Sequence, residues 1–226
     1  MEYLMQQIAT AYNGFTDKFG IPRQSGLTEA ETVIVFEPEY RNVDALKGLE
    51  EFSHLWLVWA FSEFQREAWS PTVRPPRLGG NERRGVFATR SPNRPNPIGL
   101  SVVEIVKIEV TSPEGPRITV KGADILSGTP ILDIKPYLPY ADSVAEARGG
   151  FAQEKLGYAL DVEISDEISA VLTSKEKQII IGLLSQDPRP AYQKDENRVY
   201  AMNYSGKCIR FKVKESVITV IDIVGE

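Results

Sequence analysis

Residues 99–125, GLSVVEIVKIEVTSPEGPRITVKGADI, decide the fold. Val103 and Ile105 lie on one alternation, whereas Val106, Ile108 and Val110 lie on the other. Side chains of a strand alternate with period two, so a change of phase within one predicts a bulge or strong curvature. Ser112 to Gly115 (SPEG) predicts a tight turn. Beyond the turn the pattern repeats, with Ile118 and Val120 on one phase, Ala123 and Ile125 on the other, and Gly122 between. Two long, bulged strands joined by a turn form a curved hairpin. Together with further short strands, such a hairpin predicts a closed or nearly closed barrel.

Upstream, Thr32 to Phe36 (TVIVF) is β-branched and predicts a strand. Asp44 to Phe52 predicts a short helix with Asp44 as its N-cap. Leu55 to Phe61 (LWLVWAF) is continuously apolar and predicts a strand buried on both faces, ending at Ser62-Glu63. His54 follows Ser53 just before it and reads as a structural hydrogen-bonding group. Gly20, Pro22 and Gly26 make the N-terminal segment a loop, with Pro22-Arg23-Gln24 on an exposed turn. Downstream, residues 141–160 read as a linker, and a second unit follows. Ser165 to Leu172 and Ser174 to Leu184 predict helices capped by Ser165 and Ser174. Val199 to Tyr204, Cys208 to Val213 and Val217 to Val224 predict an antiparallel meander with Ser205-Gly206 as a hairpin turn. The expected fold class is mainly β: a barrel-like N-terminal domain over residues 1–145 and a small α+β C-terminal domain over 160–226.

Between the strands lies VRPPRLGGNERRGVFATRSPNRPNPIGLS (73–101), with six arginines and a single acid, Glu82. Its five prolines and four glycines rule out a regular helix or a central strand. Arginine offers a planar fork of donors to carboxylates and phosphates, and a stiff loop is ordered before its ligand arrives. Composition alone fits a pre-formed anion or nucleotide site, and equally a solvated loop pairing with the acids of an acidic chain.

The totals narrow the function. The 226 residues suffice for one large or two modest domains, and the net charge of −5 excludes a generally basic nucleic-acid coat. Cys208 is the only cysteine and His54 the only histidine, which excludes an internal disulfide and a zinc site of the usual ligand type. The N-terminus lacks the pattern of a signal peptide, and no apolar run reaches membrane-spanning length. A cytoplasmic protein without metal or membrane attachment is the expectation. G-x-G-x-x-G and phosphate-loop motifs are absent, which excludes those two nucleotide sites.

PPRLGGNERRGVFATRSPNRPNPIGLS (75–101) and DILSGTPILDIKPYLP (124–139) resemble the TsaA-like family, and QDPRPAY (186–192) is similar to its bacterial tRNA (adenine-N6)-methyltransferase branch. The resemblance implies a small barrel that binds S-adenosylmethionine and methylates the exocyclic nitrogen of threonylcarbamoyl-adenosine, 3′ of the anticodon in threonine tRNA. It implies cofactor contacts from Pro22, Arg23, Gln24, Ser62, Glu63, Arg90, Leu100, Asp124, Ile125, Leu126 and Ser127. Arg74, Arg77, Arg83, Arg84, Arg94, Arg189 and Tyr192 would meet the anticodon stem-loop. Asp133 and Tyr137 are candidate bases for the accepting nitrogen, set against structural roles in capping and packing. A homodimer is implied as well. The competing class is a non-catalytic S-adenosylmethionine- or RNA-binding module.

Overall fold

The computed structural model describes residues 2–64, 68–75, 82–155, 157–189 and 195–225. The N-terminal half contains strands β1 (Ala9–Asn13), β2 (Glu31–Phe36), β3 (His54–Ala60), β4 (Thr72–Val73), β5 (Arg84–Gly85), β6 (Ile98–Glu109), β7 (Arg117–Lys121) and β8 (Thr129–Pro136). Among the described residues, six of these close a barrel in the order β1-β2-β7-β6-β3-β8, and β4 pairs with β5 as a separate hairpin. The expected phase change in β6 is a register shift between Ile105 and Lys107 against β7.

Inward residues fill the barrel: Ala9 and Ala11 of β1, Ile34 of β2, Leu55 and Leu57 of β3, Val103 of β6, Ile118 and Val120 of β7, and Ile131 of β8. β3 is therefore buried on one face and half-buried on the other, because Leu55, Leu57 and Trp59 point inward while Trp56, Val58 and Ala60 face the outer wall. Uniformly apolar sequence had suggested two buried faces. β7 stops at Lys121 instead of continuing through a bulge. Gly122 takes φ +85°, a left-handed conformation that a side chain resists, and the chain leaves the sheet there. Ala123 and Ile125 are buried as loop residues. β8 is a full strand that its prolines conceal. Pro130 and Pro136 fall near its ends, where a missing N–H costs least.

The Asp44–Phe52 helix is replaced by two 3₁₀ turns, Val43–Leu46 and Leu49–Glu51. Asn42 caps the first, its side chain accepting from the Asp44 N–H. Gly48 interrupts the run in the left-handed region.

The second unit follows helix α1 (Pro139–Asp142) and a 3₁₀ segment at Gly150–Lys155. It comprises β9 (Asp161–Glu163), α2 (Asp166–Ser169), α3 (Ser174–Ser185), β10 (Tyr200–Tyr204), β11 (Lys207–Lys214) and β12 (Val217–Gly225). The antiparallel meander β10-β11-β12 is as expected, with β9 added in parallel at its edge. Ser165 caps α2, now a single turn. α3 begins one residue earlier than expected: Thr173 is its cap, in a reciprocal capping box with Glu176. Ile179, Ile180, Leu183 and Leu184 of α3 pack on the meander. Phe15 and Ala30, from the connection between β1 and β2, enter the same core. Phe15 meets Tyr204 at 5.3 Å between ring centroids, and Ser205 donates its N–H to the Gly14 carbonyl at 2.8 Å. A buried Phe of this kind contributes roughly 1.5–3 kcal/mol.

Candidate active site

One end of the barrel is open. There β3 ends in Trp59-Ala60 and runs on into Phe61-Ser62-Glu63, β6 begins, and the loop from Asp124 leads into β8 at Thr129. Gly99 lies directly opposite Trp59 in the β3–β6 pair. The Trp59 indole rests over it so closely that a Cβ at Gly99 would lie 2.1 Å from the ring. Held there, Trp59 Nε1 donates to Ser101 Oγ at 3.0 Å, and Ser101 Oγ donates in turn to Asp124 Oδ1 at 2.5 Å. Ser101 is wholly buried. Burial raises the Asp124 carboxyl above its usual range, while the Ser101 donation, the Arg90 charge and the Ser25 N–H pull it partly back. This buried chain of donors ends on one carboxylate at the wall of a cavity of about 240 Å³.

The Asp124–Ser127 loop and the glycine after it are fixed through their main-chain groups. Asn13 Nδ2 donates to the Ile125 carbonyl at 2.9 Å, Ser127 N–H to the Phe15 carbonyl at 2.9 Å, and Gly128 N–H to the Ala11 carbonyl at 2.8 Å. The cavity wall is otherwise mostly apolar: Ile21, Trp59, Phe61, Ile125 and Leu126, with Pro92 from the arginine loop. Trp59 and Phe61 stand 4.3 Å apart between ring centroids. Exposed Ser62 and Glu63 line the rim, and Lys18 Nζ donates to the Glu63 carbonyl at 2.8 Å.

Of the residues the sequence singled out, Ser62, Glu63, Asp124, Ile125 and Leu126 thus meet around one cavity. Arg90 stands beside them, its Nη1 donating to Gln24 Oε1. Pro22 is buried and Arg23 and Gln24 half-buried, so this stretch is not the exposed turn expected. Arg23 Nη2 donates to the carbonyls of Asp187 at 2.6 Å and Arg189 at 3.4 Å, clasping the C-terminal unit. Leu100, paired with Val58, lies on the outer wall. Ser127 Oγ accepts from the Asn13 N–H at 3.2 Å, at the base of the loop.

Asp133 and Tyr137 do not join this group. Asp133 pairs with outward-facing Val58, accepts from the Ile134 N–H and bridges Lys135 at 2.7 Å. Tyr137 packs against Trp56 and His54, at the end of β3 remote from the cavity. His54 lies 2.9 Å from the Ser53 hydroxyl and, like Tyr137, sits at that remote end.

The arginines separate into two kinds. Arg94 donates to the Thr89 and Ser91 carbonyls of its own loop, at 3.1 and 3.2 Å. Arg189 forms a two-pronged pair with Asp187 at 2.8 and 3.1 Å. Burial alone would raise Asp187, but the Arg189 fork outweighs it and holds the carboxyl below its usual range. Arg74 and Arg83 are exposed on the β4–β5 hairpin, Arg83 donating to Thr72 Oγ1 at 2.8 Å. Arg84 pairs with Glu82 at 2.6 Å, its guanidinium 5.8 Å from the Phe151 ring. Arg77 and Tyr192 lie outside the described residues.

Lys18, Trp59, Phe61 and Pro92 line the cavity without having been anticipated. Trp59 and Phe61 carried only a core signal, and Lys18 sits in a loop with no motif.

A closed barrel with a desolvated carboxylate at the wall of its cavity, an arginine-rich loop that contributes Pro92 to that wall and an α+β unit clasped to it defines a class of small two-part barrel proteins. The chain belongs to the tRNA-methyltransferase O family. Residues 10–143 match the N-terminal domain of that family and residues 158–226 its C-terminal domain. It is 40% identical over 223 residues to the tRNA (adenine(37)-N6)-methyltransferase of Escherichia coli K12, covering 95% of this chain and 94% of the relative. It is 40% identical over 235 residues to a putative S-adenosylmethionine-dependent methyltransferase of Pseudomonas aeruginosa PAO1, covering 100% and 99%. The crystal structure of TrmO from Pseudomonas aeruginosa superimposes with a TM-score of 0.79 at 34% identity, with both chains covered in full. Among the described residues no helix is long and apolar enough to cross a membrane, and no cluster of His, Cys, Asp or Glu could hold a metal.

Proposed function

We propose that the chain is an S-adenosylmethionine-dependent tRNA methyltransferase that methylates the exocyclic nitrogen of threonylcarbamoyl-adenosine, 3′ of the anticodon in threonine tRNA. The observation that carries the proposal is full-length kinship with the E. coli enzyme, with both family domains present in order.

The cavity suits the cofactor chemically. Asp124 is a desolvated carboxylate walled by Trp59 and Phe61, which is the chemistry that answers a sulfonium or an ammonium group. Arg90, steadied by Gln24, supplies the complementary cation for a carboxylate. S-adenosylmethionine, when bound, supplies a methyl group activated by its sulfonium. Asp124 holds its orientation through Ser101 and Trp59, so that its charge is fixed before the ligand arrives. The apolar walls exclude water, and alignment of the reacting groups does most of the work of a displacement at carbon.

The accepting nitrogen must lose a proton. Asp133 and Tyr137 serve as acceptors only for an adenine presented along the outer wall of β8 or by a second copy of the chain, since both lie away from the cavity. Transfer governed by orientation, with the proton passing to water, is the route the cavity supports. A homodimer remains part of the proposal: light scattering should give a mass of twice 25.2 kDa, and a monomer methylating at full rate would refute it.

Mass spectrometry of nucleosides from threonine tRNA, in cells with and without the gene, tests the activity. Loss of one methyl from threonylcarbamoyl-adenosine is expected. An unchanged profile would instead support the non-catalytic module.

A further inference from the structure

We propose that the paired rings of Trp69 and Phe87 form a stacking platform for one unpaired base of the RNA substrate, beside the arginines of the β4–β5 hairpin. Trp69 is 48% exposed and Phe87 73% exposed, yet the rings lie 6.1 Å apart at an interplanar angle of 25°. Large aromatics of a soluble protein ordinarily turn inward, and an exposed aromatic pair marks a contact surface. Here the backbone holds them outward. Trp69 precedes β4 and Phe87 follows β5, so the two rings flank the open end of the hairpin. Val86 N–H donates to the Pro71 carbonyl at 2.9 Å, and the buried Val86 side chain anchors a 3₁₀ turn that leaves Phe87 facing solvent.

The surroundings point to a polyanion as the occupant. Arg74, Arg83 and Arg84 share the hairpin with Glu82 as the local acid, in a chain whose net charge is −5. Arginines beside an open aromatic face suit single-stranded RNA: the cations take phosphates, and the ring takes a base whatever its sequence. The anticodon loop offers such unstacked bases. The platform rests on the reading of the chain as a tRNA methyltransferase, and adds where the loop is gripped away from the reacting nitrogen.

The test compares wild type, Trp69→Ala/Phe87→Ala, Trp69→Phe and Arg83→Ala/Arg84→Ala with a synthetic anticodon stem-loop of threonine tRNA. The double aromatic variant should bind about 10- to 100-fold more weakly, with KM for tRNA raised and kcat kept. Its dependence of affinity on salt should match wild type, whereas the arginine variant should show a shallower slope. Trp69→Phe, which keeps a ring, should bind nearly as wild type does. Equal affinity of the double aromatic variant, from a wild type that methylates the tRNA, overturns the platform alone. So does a halving of its mass in light scattering, which would make the rings a contact between copies. A wild-type protein that leaves the tRNA unmethylated overturns the enzymatic reading and the platform together.

Discussion

Gly99→Ala should disable the site from beneath. The new Cβ would lie 2.1 Å from Trp59 Cε2, where ordinary contact begins near 3.4 Å, so the indole must retreat by roughly 1.3 Å. Trp59 is nearly fully buried, and the open space beside it is the cavity itself, so an indole that retreats intrudes on the site. Overpacking of this kind costs about 1–3 kcal/mol, and losing the Trp59–Ser101 hydrogen bond adds about 1 kcal/mol. For a chain of this size the sum lowers Tm by about 5–15 °C. Asp124 would lose the second donor of its relay and the cavity one of its walls, so affinity for S-adenosylmethionine should fall as well. Circular dichroism melting, the near-ultraviolet tryptophan band and calorimetry with the cofactor measure the three consequences. Adding Trp59→Phe, a smaller ring, should recover part of the stability but not the hydrogen bond. A Gly99→Ala variant that melts within about 1 °C of wild type and binds the cofactor equally would refute the close packing and the relay built on it.

Asp124→Asn should abolish cofactor binding yet stabilise the protein near pH 7, because burial disfavours the charged carboxylate. The raised Asp124 pKa makes the native state hold its proton longer, so its stability contribution is lost as pH rises from about 3.8 through the raised value. The variant's advantage in melting should therefore open across that window and be absent below it. Arg90→Ala should lose S-adenosylmethionine binding while the fold survives, since Arg90 is exposed and its guanidinium donates to the Gln24 side chain; undiminished affinity in calorimetry would make it structural or RNA-facing. Glu176→Gln should cost about 1 kcal/mol through the weakened capping box and the lost Lys207 pair. Lys207 and Thr173 hold the Glu176 carboxyl at about 2, so its contribution is present above about 4.5 and lost as pH falls toward 2. Melting of wild type and variant should converge over that range.

Much of this architecture could be read from residue order. The phase change in residues 103–110 marked the bulge that bends β6, and the Ser205-Gly206 turn separated two clear alternations. What failed did so for local reasons. Prolines at both ends hid β8, since composition weighs them without knowing that they fall at strand termini. Gly122 looked like a bulge because the inward phase resumes after it, although the chain has already left the sheet. At the site, motif residues 124–126 and 62–63 did converge, but Asp133 and Tyr137 shared a motif with them without sharing an end of the barrel. A strand of eight residues carries its two termini some 25 Å apart, so adjacency in a motif does not guarantee adjacency in space. The intramolecular engagement of Arg94 and Arg189 was equally invisible, since composition cannot distinguish a cation offered to RNA from one already paired.

The connection between β1 and β2 belongs by sequence to the barrel, yet Phe15 and Ala30 are built into the core of the other unit. The boundary drawn along the chain is therefore not the seam along which the molecule comes apart. Cutting after residue 145 would strip Phe15 of its partners and leave the barrel with an apolar loop and no cover. Melting the meander would slacken the segment that also fixes Ser127, through the Phe15 carbonyl, and with it the loop bearing Asp124. Heat or denaturant should consequently take both units in one cooperative transition, and the C-terminal unit acts as the buttress of a cavity whose lining, among the described residues, comes from the other unit.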